Sequence, residues 1–78
     1  MRIVSQNFKY DFPYEEAYLK IKDDLPTHIY VYGIHDPNKT EYDFANYSTE
    51  EKTLYMLALV RKMYGDGVPF FVFPVSGK

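Results

Sequence analysis

The sequence of 78 residues contains no cysteine, and this absence excludes several kinds of chemistry. Disulfide frameworks, thiolate nucleophiles and cysteine-based zinc sites all need that side chain. The chain also lacks an apolar run near the ~20 residues of a membrane-spanning helix. Arg2 is soon followed by the polar Ser5, Gln6 and Asn7 rather than by the apolar stretch of a secretory signal. We therefore expect a cytoplasmic protein that does not associate with membranes.

The chain also lacks a large excess of charge of either sign. Nine Lys and Arg residues stand against eleven Asp and Glu residues, which gives a net charge of −2. Nucleic-acid affinity comes largely from cations that neutralise phosphates. Here the cations occur singly or in weak pairs, such as Lys20 with Lys22 and Arg61 with Lys62, and most have carboxylates beside them. The charge pattern therefore argues against a dedicated nucleic-acid-binding surface.

Aromatic residues, in contrast, are abundant, with nine Tyr and six Phe. The length fits a single domain over residues 1–78, because a core of this size cannot be divided further. Such a domain buries only about 60–65% of its unfolded surface, and large rings partly compensate. Some tyrosines must still lie at the surface, and self-association is a common support for a small core.

Three segments of the N-terminal half alternate with a strand period. Arg2 to Ser5 and Tyr10 to Tyr14 predict a hairpin, and the proline in the second segment places that strand at an edge. From Ala17 to Lys22 a period of two favours another strand. Glu15 and Glu16 also favour a helical turn there, so this alternative stays open.

The strongest strand pattern lies in the middle of the chain. After a break at Asp23 to Thr27, the segment His28 to Ile34 is β-branched or aromatic on both faces, which predicts a central strand. Turn residues follow at 35–40, and Glu41 to Ala45 resumes the strand period. Because this connection is short, the two strands should pair antiparallel.

The segment Ser48-Thr49-Glu50-Glu51 predicts the start of a helix. Ser48 is the expected cap, with its hydroxyl oxygen accepting from the Glu51 amide and the Glu51 carboxylate accepting from the Ser48 amide. The helix is predicted over 49–64, and Gly65 is expected to end it in a left-handed conformation. The predicted sheet-facing stripe consists of Met56, Leu57, Val60, Met63 and Tyr64.

A last strand is predicted over Val68 to Val75, with prolines near both ends. The apolar faces of the strands and of the helix must pack against each other to be buried. The sequence therefore predicts an α+β fold. Its architecture is a curved antiparallel β-sheet of four to six strands packed on one α-helix at about residues 49–64, in the order β-β-β-β-α-β.

Several segments of the chain carry a resemblance to a known group. MRIVSQ at residues 1–6, YDFPYE at 10–15, YSTEEK at 47–52 and FVFP at 71–74 resemble a group of small uncharacterised proteins of Firmicutes bacteria and their phages or prophages. The resemblance implies a cytosolic protein of a bacterium or a mobile element. It carries no catalytic motif, so it assigns no functional residue.

The usual patterns of catalysis and metal binding are missing. No G-x-S-x-G occurs, and Ser48 is explained as a helix cap. His28 and His35 flank one strand and should lie ~23 Å apart, too far to share a metal ion. Adjacent carboxylates are better explained as solvated charge, and no phosphate-binding loop precedes a helix. We therefore expect a protein that is not an enzyme and that needs no cofactor or metal.

Two surfaces are candidates for binding. One is a tyrosine-rich sheet face, and the other is an apolar flank of the helix. The alternative for the tyrosines is packing under the helix or against each other. We expect a non-enzymatic interaction module that binds an unknown protein partner or itself, as a homodimer. The alternative is single-stranded nucleic-acid binding through the tyrosines with Lys20 and Lys22, and a small enzyme comes third. The candidate residues are Tyr18, Tyr30, Tyr32 and Tyr42 on the sheet and Leu54, Tyr55 and Ala58 on the helix.

Overall fold

A computed structural model describes residues 1–75 of the chain, so residues 76–78 of the predicted domain lie outside it. The fold of the described part is α+β, as predicted. The order of its elements differs from the prediction, because five strands precede the helix instead of four. The strands and the helix are β1 (Arg2–Val4), β2 (Asp11–Pro13), β3 (Ala17–Lys22), β4 (Leu25–Gly33), β5 (Tyr42–Asn46), α1 (Glu50–Gly65) and β6 (Phe70–Val72).

The strands form two sheets of three strands, and this corrects the prediction of one antiparallel sheet. In the first sheet the order is β2-β1-β6, and in the second it is β3-β4-β5. All neighbours are antiparallel except β1 and β6, which are parallel and place Ile3 opposite Phe71. Alternation along a segment identifies a strand, but it does not identify a partner from the other end of the chain. The sequence pattern therefore missed the parallel pair.

The segment left open between strand and helical turn, Ala17–Lys22, is a strand. The helical tendency of Glu15 and Glu16 is seen just before it, where Tyr14–Glu16 forms a single 3-10 turn. The break predicted from Asp23 to Thr27 is shorter, because Lys22 already pairs with Leu25 across a tight turn. The last strand is also shorter than predicted, with only Phe70–Val72 in the ladder.

The ends of α1 differ in detail from the prediction. Thr49, not Ser48, is the cap, and its side-chain oxygen accepts a hydrogen bond from the Lys52 amide at 3.1 Å. At the other end Gly65 is the last helical residue, and Gly67 adopts the left-handed conformation, with φ of 78°. The Gly67 amide donates to the Tyr64 carbonyl, and the next amide, that of Val68, donates to the Met63 carbonyl. This pair of bonds closes the helix as a Schellman motif.

The core lies between the helix and the two sheets. The helix contributes Thr53, Leu57 and Val60, which are buried. The Thr53 hydroxyl donates to the Thr49 carbonyl at 2.9 Å, so its polar group is satisfied inside the core. The sheets contribute large buried side chains from β1, β4 and β5 and from the segment after β6. These are Ile3, Ile29, Val31, Phe44 and Phe73.

The predicted helix stripe is partly correct. Leu57 and Val60 are buried and Met56 and Met63 are half-buried, but Tyr64 is 42% exposed. Its ring lies beside that of Tyr14, with 4.6 Å between the centroids. Thr53 and Tyr64 are about three turns apart and lie on the same side of the helix, but Tyr64 lies in the last turn of α1, beyond its last buried residue, Val60. In residues 1–75, no helix has the length and apolar character needed to cross a membrane.

Candidate functional site

The second sheet has one face toward the core and one face away from it. On β4, Ile29 and Val31 are buried, so His28, Tyr30 and Tyr32 point to the other side. The ladder then places residues of the neighbouring strands on the same side. We call this side the outer face, and its members are Tyr18, Lys20, Lys22, His28, Tyr30, Tyr32 and Asp43, with Lys39 and Glu41 from the β4–β5 connection.

At one end of the outer face, two tyrosine rings are stacked. Tyr18 lies opposite Tyr32 in the ladder, and the ring centroids are 5.0 Å apart with 17° between the planes. The Nζ atoms of Lys20 and Lys39 lie 5.7 and 5.6 Å from the centre of the Tyr32 ring. Tyr18 remains 50% exposed. This arrangement presents an aromatic surface surrounded by cations.

The third tyrosine of this face is held in a similar way. The Nζ atom of Lys22 lies 4.5 Å from the centre of the Tyr30 ring, within the range of a cation–π contact. The imidazole of His28 stacks on the same ring, with 5.8 Å between centroids and 15° between planes. Tyr30 is therefore fixed by a ring beside it and an ammonium group over it.

A single carboxylate connects two of the lysines. Glu41 accepts from the Nζ atoms of Lys20 at 2.8 Å and Lys22 at 2.6 Å. These hydrogen bonds lower the pKa of the Glu41 carboxyl and raise the pKa of both ammonium groups. Lys39 forms no ion pair within residues 1–75. Three ammonium groups thus lie around the Glu41 carboxylate, and Asp24 is close enough to Lys22 to contribute to the raised pKa of that lysine.

His28 and Asp43 form a hydrogen-bonded pair on the same face, which the sequence pattern alone did not predict. The Nδ1 atom of His28 lies 2.8 Å from the Asp43 carboxylate across the β4–β5 ladder. The predicted antiparallel pairing of these two strands was the signal that could have suggested it. A histidine oriented by a carboxylate can move a proton. However, the hydrogen bonds described for residues 1–75 bring no serine or threonine hydroxyl to this histidine.

An open cavity of about 260 Å³ lies beside Asp43, between β5 and the loop after β1. The Gln6 side chain on its wall already uses both ends of its amide. Its oxygen accepts from the Asn46 amide at 2.8 Å, and its nitrogen donates to the Pro74 carbonyl at 2.8 Å. These hydrogen bonds join the loop to the rest of the protein. The polar groups of Gln6 therefore serve the fold, and they do not indicate a ligand site in this cavity. No group of three side chains able to hold a metal ion occurs in the described part of the chain.

The predicted tyrosine patch needs one correction. Tyr18, Tyr30 and Tyr32 lie together on the outer face, but Tyr42 lies on the core face, where its ring packs 4.8 Å from that of Tyr10. A register shift between Ile29 and Tyr30 is the cause, because it pairs Tyr42 with Val31 instead of Tyr32.

The helix flank contains the other predicted residues. Leu54 and Tyr55 are 52% and 63% exposed, and Ala58 is exposed as well. The flank and the outer face belong to different elements, so the molecule offers two separate surfaces. Comparison of the chain with protein-family models, with curated proteins and with solved structures gave no match, and the functional argument therefore rests on these two surfaces.

Proposed function

We propose that the protein is a non-enzymatic interaction module that binds a partner protein through the outer face. The observation that carries this proposal is the stacked pair Tyr18 and Tyr32 with lysine ammonium groups beside it. Tyrosine offers a large contact area with few torsions to immobilise, and it is enriched in interfaces. Rings fixed before binding lose little conformational entropy in the complex.

The charges of the outer face favour an acidic partner segment. Lys20, Lys22 and Lys39 lie around the rings, and two of them share the Glu41 carboxylate as their ion-pair partner. The Asp43 carboxylate is already held by His28. A partner that supplies carboxylates near an apolar or aromatic side chain would complement both the ammonium groups and the rings.

Single-stranded nucleic acid is the second candidate, because bases stack on exposed aromatic rings beside lysines. One observation favours the protein partner. Tyr18 and Tyr32 stack on each other, so a base would have to use the outer side of a ring already in contact.

A titration followed by backbone NMR shifts tests the proposal. A random copolymer of glutamate and tyrosine is the acidic probe, and oligothymidylate is the nucleic-acid probe, each at low and at physiological salt. We expect the copolymer to shift the amides of β3 and β4, and Tyr18→Ala to weaken its binding ~10-fold, a typical loss for an interface tyrosine. Tyr55→Ala, which removes an exposed tyrosine from the helix, should leave this binding unchanged.

Two results would overturn the proposal. Binding of oligothymidylate at low salt without binding of the copolymer would favour the nucleic-acid function. Absence of any shift on β3 and β4 with either probe would remove the outer face as a binding surface. Circular dichroism of both variants provides the control for folding.

The cellular setting is part of the same proposal. The lack of cysteine suits a cytoplasmic protein, and the resemblance of the terminal segments and of the helix start suggests a bacterium or its phage.

A further inference from the structure

The exposed side of α1 carries a pattern that the outer face does not explain. Thr53, Leu57 and Val60 turn one side of the helix to the core. At 3.6 residues per turn, the opposite side carries four exposed residues at spacings of four, three and four. These residues, which we call the outer stripe, are Glu51, Tyr55, Ala58 and Lys62, with Leu54 at its margin.

The stripe is arranged symmetrically about its own midpoint. An acidic residue, Glu51, lies at its N-terminal end, and a basic residue, Lys62, lies at its C-terminal end. The large Tyr55 and the small Ala58 lie between them at equal distances from the centre. A helix with this order is complementary to a second copy of itself in the antiparallel direction.

We propose that the protein self-associates through this stripe, with α1 of one protomer packed antiparallel on α1 of its partner about a two-fold axis. In that arrangement each Glu51 faces the partner's Lys62, and each Tyr55 ring packs over the partner's Ala58. The interface is isologous, so the ion pair and the ring contact each occur twice. This inference goes beyond the proposed function, because it uses another surface and another partner.

The charges select the direction of packing. A parallel arrangement would bring Glu51 against Glu51 and Lys62 against Lys62, which is unfavourable at short distance. In the monomer Lys62 bonds to Asp66 at 2.8 Å, and both side chains are more than half exposed. This pair therefore leaves the Lys62 ammonium accessible to a second carboxylate. The side chain of Ala58 is small and exposed, so it leaves room for the Tyr55 ring of the other protomer.

The size of the outer stripe limits the expected affinity of the dimer. A helix of 16 residues is about 24 Å long, and a single helix pair buries less surface than the ~1,200 Å² of the smallest stable interfaces. We therefore expect a reversible dimer whose population rises with concentration. Sedimentation velocity between ~10 μM and ~1 mM covers the range of a weak complex.

Charge reversal provides the test. Glu51→Lys and Lys62→Glu should each weaken the dimer ~10-fold or more, because each places like charges opposite one another twice. The double variant with both changes should regain the dimer, because the opposite charges face each other again. Lys9→Glu, a reversal of the same size in the loop after β1, should have no effect on association.

The result also separates this inference from the binding of an acidic partner. Tyr18→Ala should leave the dimer intact, whereas Ala58→Glu should abolish it and leave copolymer binding intact. A monomer at every concentration would overturn the inference. A dimer that is insensitive to the single reversals, or that the double variant does not restore, would overturn it as well. Circular dichroism confirms that each variant is folded, since all the changed residues on the helix are exposed.

Discussion

Replacement of Thr49 by alanine should destabilise the protein by about 1 kcal/mol, whereas Ser48→Ala should change the stability very little. The Thr49 side-chain oxygen satisfies the Lys52 amide at 3.1 Å, an amide that has no partner within the helix. Loss of such a cap costs ~0.5–2 kcal/mol. For a domain of this size, ~1 kcal/mol corresponds to a decrease in Tm of about 4–8 °C.

The two variants compare neighbouring exposed positions, so they separate the two possible caps directly. The bonds from Thr53 to the Thr49 carbonyl involve the backbone oxygen and remain in the alanine variant. Urea unfolding followed by far-ultraviolet circular dichroism gives the difference in free energy, and Thr49→Ser should retain most of the stability. If Ser48→Ala proves at least as destabilising as Thr49→Ala, the cap belongs to Ser48 and the reasoning from Thr49 fails.

The remaining predictions concern glycine conformation and the two ends of the pH range. Gly67→Ala should reduce stability by about 1 kcal/mol because φ is 78° there. Gly65→Ala should raise it by up to ~1 kcal/mol, since that residue is helical with open space for a Cβ atom; equal urea midpoints for the two variants would contradict this. The lowered pKa of Glu41 means that its contribution is present above pH 4.5 and is lost as the pH falls further. Glu41→Gln should therefore flatten the acid side of the stability profile, and an unchanged profile would refute this. Burial raises the pKa of Tyr47 from 10.0 to about 12, so stability should fall as the pH rises between these values. The loss should reach ~2 kcal/mol and should be absent in Tyr47→Phe, as followed by urea unfolding at each pH.

Local patterns predicted the helix well, and its cap less well. The periodicity and end signals placed α1 within one residue of its observed ends. The acidic residues after Ser48 fitted a reciprocal cap, but the helix begins one residue later. The burial of Thr53, and its bond to the Thr49 carbonyl, fixes the first turn at that position. The bond itself is local, but the burial of Thr53 depends on how the helix packs, which the sequence pattern does not contain.

In the candidate site, one unpaired residue in β5 changes the face of the sheet on which Tyr42 lies. Continued from Ile29 and Ala45, an uninterrupted antiparallel ladder would place Tyr42 opposite Tyr32, on the face where the sequence analysis expected it. Phe44 lies in the register shift without a partner on β4, and this one residue sends Tyr42 to the core face. The Phe44 side chain is buried, so core packing explains the irregularity. Ring stacking of Tyr18 with Tyr32, in contrast, follows from an undisturbed part of the β3–β4 ladder.

The parallel pairing of β1 with β6 has a consequence for synthesis of the chain. On the ribosome β1 emerges before the helix, but its neighbour β6 emerges only after it. Until then one side of β1 has no strand to bond with, even when β2 has already joined the other side. Contacts between distant parts of a chain form slowly, so the first sheet should close after translation has passed β6. A nascent chain paused between α1 and β6 would thus present a bare strand to chaperones or to other nascent chains.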